Sequence, residues 1–374
     1  MRDFSKVKRL VIKVGTNLLS DKSGINRARI FDIARQVSEL REKGIEVLLV
    51  SSGAIGLGAK KLEHEKAVSY ITLRQAFAAI GQPLLMQAYE EAFSIYNLVT
   101  AQVLLTRSVM NNRTSYNNLR SSVSMLLKLG VIPVFNENDV ISTSESGNNF
   151  GDNDRLSAYI ASKIDADLLI LLTDIDALYD SDPKKNKDAR RLDTVNEITS
   201  EIFSYAKGKG SEFSTGGMKT KLLAAKIAQR GACATIIASG YEKDSLVRIM
   251  EGESIGTLIL PKERISQKQR WIMNSMPKAK IIIDDGAKKA LLENNSSLLF
   301  RGILEIKGTF EKGEVVFITD REGRNLFKAV PLLNSTSLRL VAGLARDESE
   351  RILGTRRDIV FRPEDSMRTE YAEL

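Results

Sequence analysis

One cysteine and one histidine in 374 residues remove several chemistries at once. Cys233 alone excludes an intramolecular disulfide and any cysteine-rich zinc site, and it fits a reducing compartment. It opens the apolar run 234–238, which favours a small buried side chain over a nucleophile. His64 lies in the charged stretch Glu63-His64-Glu65, so a histidine general base is not expected. No apolar run is long enough to span a bilayer, and Met1-Arg2-Asp3-Phe4 does not open an apolar leader. Neither secretion nor membrane insertion is expected, and a cytoplasmic location is. The phosphate loop Gly-x4-Gly-Lys-Ser/Thr is absent, as are the glycine-rich and His-Arg-Asp loops of protein kinases. Any phosphoryl transfer here uses another scaffold.

What remains is ordinary in composition and uneven in charge. Hydrophobic residues make up 43% and charged residues 27%, globular values, and the length favours two domains. The formal net charge is +8, yet residues 278–374 hold 17 Lys/Arg against 16 Asp/Glu. Seven of the eight excess positives therefore lie in residues 1–277. Apolar runs of strand length recur at 10–14, 47–50, 99–105, 131–135, 168–172 and 235–238, and they read as buried parallel strands. Helical patterns lie between them, the clearest being Ile30, Ile33, Ala34, Val37 and Leu40, stopped by Gly44. Alternating strands and helices predict a three-layer α/β/α sandwich with a mostly parallel sheet over residues 1–260. A charged linker over 261–277 follows, carrying Trp271 and Ile272. Short strands and glycine turns over 278–354 predict a small β-barrel-like module, and 355–374 reads as a polar tail.

The chemistry-bearing residues gather where the strands end. Thr215-Gly216-Gly217-Met218-Lys219-Thr220-Lys221 leads into a helix over 219–229, so backbone amides and two lysines would meet an anion there. Lys13 interrupts an apolar strand just before Gly15. It either faces solvent at a sheet edge or projects into a site at the strand's end. Ser51-Ser52-Gly53 follows the second strand, as a helix cap or as a turn that lets a ligand reach the backbone. Asn136-Glu137-Asn138-Asp139 and Gly151-Asp152-Asn153-Asp154 are acid-amide clusters that serve as caps or as a Mg²⁺ or amino-group site. In the second reading Asp139 pairs a substrate ammonium, Asn153 holds a substrate carboxylate, and Asp154 steers the two lysines or a metal. Thr173-Asp174 ends another strand and could seat adenine or ribose. An acceptor carboxylate with a reference pKa of about 4 is already ionised at neutral pH and needs no general base. This inventory therefore suits phosphorylation of a carboxylate better than of an alcohol.

With these motifs in this order, the chain resembles the amino acid kinase family, in its glutamate 5-kinase branch with a C-terminal PUA domain. The resemblance covers nearly the whole chain. It rests on Ile12-Lys13-Val14-Gly15-Thr16, Ser51–Ile55, Asn136–Asp139, Gly151–Asp154, Leu171–Asp174 and Thr215–Lys221. It implies ATP-dependent transfer to the side-chain carboxylate of L-glutamate, with Mg²⁺ bound mainly through the nucleotide, at the start of proline synthesis. It implies feedback inhibition by proline, a homo-oligomer (dimer or tetramer) and a downstream reductase. By the same resemblance Lys13 and Lys221 stabilise the moving phosphoryl group and Asp154 organises them. Ser52, Asp139 and Asn153 bind glutamate. Lys13, Thr173, Asp174 and Thr215, Gly216, Gly217, Met218, Lys219, Thr220 and Lys221 hold the nucleotide. Ser51, Ala177 and Ser214 depart from the usual threonine, glycine and glycine, which bears on loop detail. The single Gly15 differs from the Lys-x-Gly-Gly start of aspartate and acetylglutamate kinases and favours free glutamate; those other acceptors are the alternatives. An RNA-binding nucleotide sensor is the alternative of a different class. The near-neutral charge of the C-terminal module is a poor footprint for RNA.

Overall fold

The computed structural model of the chain describes residues 1–21, 24–64, 70–142, 152–183, 185–186, 188–206, 217–262, 266–275, 277, 279–354, 356 and 358–369. Two compact units are present. The first comprises Met1–Arg107 and Asn118–Arg264, and the second Ser108–Asn117 and Ile265–Leu374.

The first unit is built on an eight-stranded sheet. All six apolar runs read from the sequence are strands: β1 (Arg9–Val14), β2 (Glu46–Ser51), β3 (Thr100–Leu105), β4 (Ile132–Glu137), β5 (Leu168–Thr173) and β7 (Ala234–Ser239). Two short strands, β6 (Thr194–Val195) and β8 (Thr257–Ile259), escaped the reading because two or three residues carry no period. The order is β3-β4-β2-β1-β5-β7-β8-β6, and every neighbouring pair is parallel except β7 with β8. Continuous apolar strands need helices on both faces, and the sheet has them. On one face Leu10, Ile12 and Val14 share a core with Ile30, Ile33 and Val37 of α1 (Arg27–Glu42). Leu85, Tyr89 and Phe93 of α3 (Ile71–Ser94) join the same core. Between α1 and α3 lies α2 (Ala54–Lys61). α4 (Asn153–Lys163) and α5 (Met218–Arg230) pack together, α4 against β1 and β5, α5 against β7. The three-layer sandwich is the architecture expected.

In the second unit, β9 (Lys280–Ile283), β11 (Ile303–Lys307), β12 (Val316–Thr319), β13 (Asn325–Ala329) and β15 (Ser366–Arg368) form a mixed sheet, ordered β11-β9-β12-β13-β15. β10 (Leu298–Leu299) pairs separately with β14 (Ile359–Phe361). Two segments differ from expectation. The stretch expected to be a polar tail carries β14 and β15, because Val360 and Phe361 enter the core beside Phe300 and Ile318. Within the expected linker, 267–274 is a helix, α6 (Gln267–Asn274), set by a Ser266/Gln269 capping box. Its Trp271 and Ile272 are buried with Tyr116, Val315 and Val330. That cluster is why 108–117 belongs to this unit, an assignment nothing local in the sequence announces. Residues 370–374 lie outside the described residues.

Candidate active site

The chain leaves β1 for β2 on one side and leaves β5 for β7 on the other, although β1 and β5 are neighbours. Loops that diverge from adjacent parallel strands open a crevice at their carboxyl ends, where ligands bind in open α/β sheets. A pocket lies there, lined by Lys13, Gly15, Thr16, Asn17, Ser52, Asp152, Asn153, Asp154, Thr173, Asp174 and Lys221, among others. Because β1 sits between β2 and β5, Lys13 is not on an edge strand. Strand alternation sends it to the face opposite Ile12 and Val14, the face that α4 covers. The edge reading is thereby removed.

Three buried charges form the centre. Lys13 Nζ lies 2.6 Å from Asp154 Oδ1, and Lys221 Nζ 3.4 Å from Asp154 Oδ2, which also accepts a hydrogen bond from Thr220 Oγ1 at 3.0 Å. Burial by itself would raise the Asp154 carboxyl. The charges of Lys13 and Lys221, with the Thr220 bond, outweigh it and bring the carboxyl down to about 2. Asp154 stands in the first turn of α4, where the helix dipole also favours its charge. Both lysines converge on Asp154, and the carboxylates of Asp152 and Asp174 line the same pocket. Gly217 caps α5 without a side-chain bond. The dipole at the start of that helix favours an anion.

Beside the trio stands a neutral network. Asn153 Nδ2 donates to Ser51 O at 2.8 Å, Ser52 Oγ at 3.0 Å and Asn136 Oδ1 at 2.9 Å. Ser52 thus serves Asn153 and caps no helix; α2 begins instead at Gly53, whose φ of 102° suits glycine. With its amide nitrogen committed, Asn153 has its carbonyl oxygen left for the pocket. That oxygen suits a substrate amino group, and the carboxylate expected from the sequence would need Asn153 to give up one of these bonds. Asp152 caps α4 by accepting from Arg155 N at 2.8 Å. Burial first and Asp154 second push its carboxyl up to about 6, against Arg155 and Lys13.

The third wall comes from β5 and the β1 loop. Asn17 Nδ2 donates to Asp174 Oδ2 at 2.9 Å and Thr173 Oγ1 to Asp174 Oδ1 at 3.0 Å. Burial opposes these bonds, but they hold the Asp174 carboxyl below its usual value. A methyl group on Gly15 would stand 3.3 Å from Leu172 O, so the β1 loop lies close against the end of β5.

Of the residues expected from the sequence, the pocket brings together Lys13, Ser52, Asn153, Asp154, Thr173, Asp174 and Lys221. Thr220 reaches it through Asp154, while Gly217 and Met218 start α5 and Lys219 is exposed. Asp139 is not among the lining residues; it sits in the turn after β4, its carboxyl raised to about 6 by burial and then by Glu137, with Arg74 opposing. Thr215, Gly216 and Gly151 lie outside the described residues. Asn17, and the connection from Asn136 to Gln82, were missed. Their only signal was position, since Asn17 follows Gly15-Thr16 directly. His64 packs against Phe77 with ring centroids 5.2 Å apart, and Cys233 is buried, both away from the pocket lining.

Comparison with known proteins agrees with this geometry. Residues 8–239 match the model of the amino acid kinase family, and 279–353 match that of the PUA domain. The chain is 44% identical over 360 residues to the glutamate 5-kinase of Methanosarcina barkeri, with 94% of each chain covered. To that of Trichlorobacter lovleyi it is 41% identical over 364 residues, with 96% of each covered. Among solved structures, carbamate kinase from Giardia lamblia bound to AMP-PNP superposes with a TM-score of 0.50 at 20% identity. It covers 69% of this chain and 100% of its own, a likeness of fold alone.

Proposed function

Because the chain belongs to the amino acid kinase family, we propose that it transfers the terminal phosphoryl group of ATP to the side-chain carboxylate of L-glutamate. The product is L-glutamate 5-phosphate, the first intermediate of proline biosynthesis. The observation that carries this reading is the buried Lys13–Asp154–Lys221 trio at the switch point, which sets two lysines in a pocket beside the start of α5.

In the transfer a glutamate carboxylate oxygen attacks the terminal phosphorus, and the bond from that phosphorus to the bridging oxygen breaks. Its electron pair leaves with ADP. No proton has to move, because the attacking carboxylate is already ionised. Lys13 and Lys221 would bear on the charge of the moving group, and Asp154 would keep the two lysines in place without joining the reaction. Ser52, Asn153 and Asp139 would receive glutamate. Thr173, Asp174 and the loop 215–221 would receive the nucleotide. Mg²⁺ would be held mainly by the phosphates, since no group of three His, Cys, Asp or Glu side chains among the described residues is placed to hold it alone. Inhibition by proline, a homo-oligomeric state, a cytoplasmic location and a reductase that consumes the labile product complete the proposal. The second unit would be structural or regulatory, which its near-neutral charge supports.

Trapping the acyl phosphate with hydroxylamine tests the reading. Purified protein with MgATP is expected to give hydroxamate from L-glutamate and not from L-aspartate or N-acetylglutamate, with the signal suppressed by proline. Hydroxamate from another acceptor in place of glutamate would move the chain to a different branch of the family, and none from any acceptor would overturn the proposal.

A further inference from the structure

Gln82 lies in α3, outside the pocket lining, and only 8% of it is exposed. Its place is set tightly. The preceding Gly81 presses on the start of α2, where a methyl group would come within 1.8 Å of Ala54 O. From there Gln82 Oε1 accepts a hydrogen bond from Asn136 Nδ2 at 2.8 Å, and Gln82 Nε2 donates to Gln102 Oε1 at 3.2 Å. Asn136 Oδ1 in turn accepts from Asn153 Nδ2.

The direction of this amide chain is fixed by main-chain groups that have only one polarity. Glu137 N, a donor, meets Asn136 Oδ1 at 2.9 Å, and Ser51 O, an acceptor, receives Asn153 Nδ2. Asn136 must therefore present its NH₂ to Gln82, and Asn153 must present its NH₂ away from the pocket. Asn136 is 2% exposed, so losing Gln82 would strand a buried donor. Rotation of Asn136 is the way to relieve it, and that rotation turns its NH₂ toward Asn153 Nδ2, replacing one of the three acceptors of that amide with a donor.

We propose that Gln82 is a positioning residue: by holding Asn136 it keeps Asn153 with its carbonyl oxygen toward the pocket, where that oxygen accepts from the ammonium group of the amino-acid substrate. The identity of that substrate rests on the function proposed above; the amide chain does not.

Gln82→Leu removes both bonds, and Gln82→Glu keeps the acceptor for Asn136 while losing the donor to Gln102. For Gln82→Leu we expect KM for glutamate to rise about 5- to 10-fold, the scale of one neutral hydrogen bond, while kcat and KM for ATP stay within about 2-fold. Gln82→Glu should recover most of the loss. An unchanged glutamate KM, or kcat and both KM values moving together, would overturn the proposal. A second readout needs no substrate: the side-chain NH₂ signals of Asn136 and Asn153 in ¹H–¹⁵N spectra should both shift in Gln82→Leu. Unchanged Asn153 signals would overturn the positioning role even if glutamate proves not to be the substrate.

Discussion

Asp154 in the first unit and Asp320 in the second each sit between two cations, and both carboxylates are almost wholly buried, with side chains 1% exposed. Lys288 approaches Asp320 at 2.9 Å and Arg324 at 2.8 Å, distances like those around Asp154. Burial opposes the Asp320 charge too, and its bonds to Lys288 and Arg324 again overcome it and lower the carboxyl. The cations differ. Lys13 and Lys221 are 9% and 5% exposed in their side chains, whereas Lys288 and Arg324 are 25% and 64% exposed. The second pair of cations is also answered by Glu322, 2.8 Å from Arg324 and 3.9 Å from Lys288, and Asp320 accepts from Arg324 N at 2.9 Å, which staples a turn. In the first trio both lysines are held out of water beside a pocket. Two cations on a buried carboxylate thus make a staple where the cations reach solvent and a site where they do not.

The contrast would break first at Lys221. Lys221→Ala is expected to cut turnover by about 10³-fold or more while leaving the circular dichroism spectrum unchanged. A loss below tenfold would make the first trio another staple.

A smaller effect tests the first trio by pH. The Asp154 carboxyl, at about 2 in the folded chain, is depressed from its unfolded value. Its contribution is therefore present above about pH 4 and lost as pH falls toward 2, on the order of 2 kcal/mol in all. Urea denaturation of the wild type and Asp154→Asn should differ most at pH 5 and converge near pH 2. A gap that does not shrink with acid would mean that Asp154 is not held by its lysines.

The smallest effect is expected in the second unit. Arg324→Gln should leave hydroxamate formation within about 2-fold of wild type, because an exposed ion pair contributes little. A large loss of turnover would give the second trio a part in catalysis that its exposure argues against.

The sequence by itself determined the layers and the centre of the site. Apolar runs at 10–14, interrupted by Lys13 alone, and at 168–172 are satisfied by a sheet covered on both faces, and residues at the ends of such strands meet at the switch point. Lys13, Asp154, Lys221, Ser52 and Thr173 were legible for that reason, each sitting in or beside a strand or at a helix start. Only the tertiary structure decided which way Lys13 faces, because a lysine in an apolar strand reads alike at an edge and at the centre until strand order is known. It also decided that Asn153 has its oxygen to offer, because its Nδ2 donates to Ser51, Ser52 and Asn136 across up to 102 residues. It drew 108–117 and the strands 359–361 and 366–368 into the second unit. The physical reason is common to all three. Periodicity reports how much of a segment is buried, but hydrogen-bond direction and long-range partners depend on which atoms packing brings within 3 Å, and no local pattern encodes that.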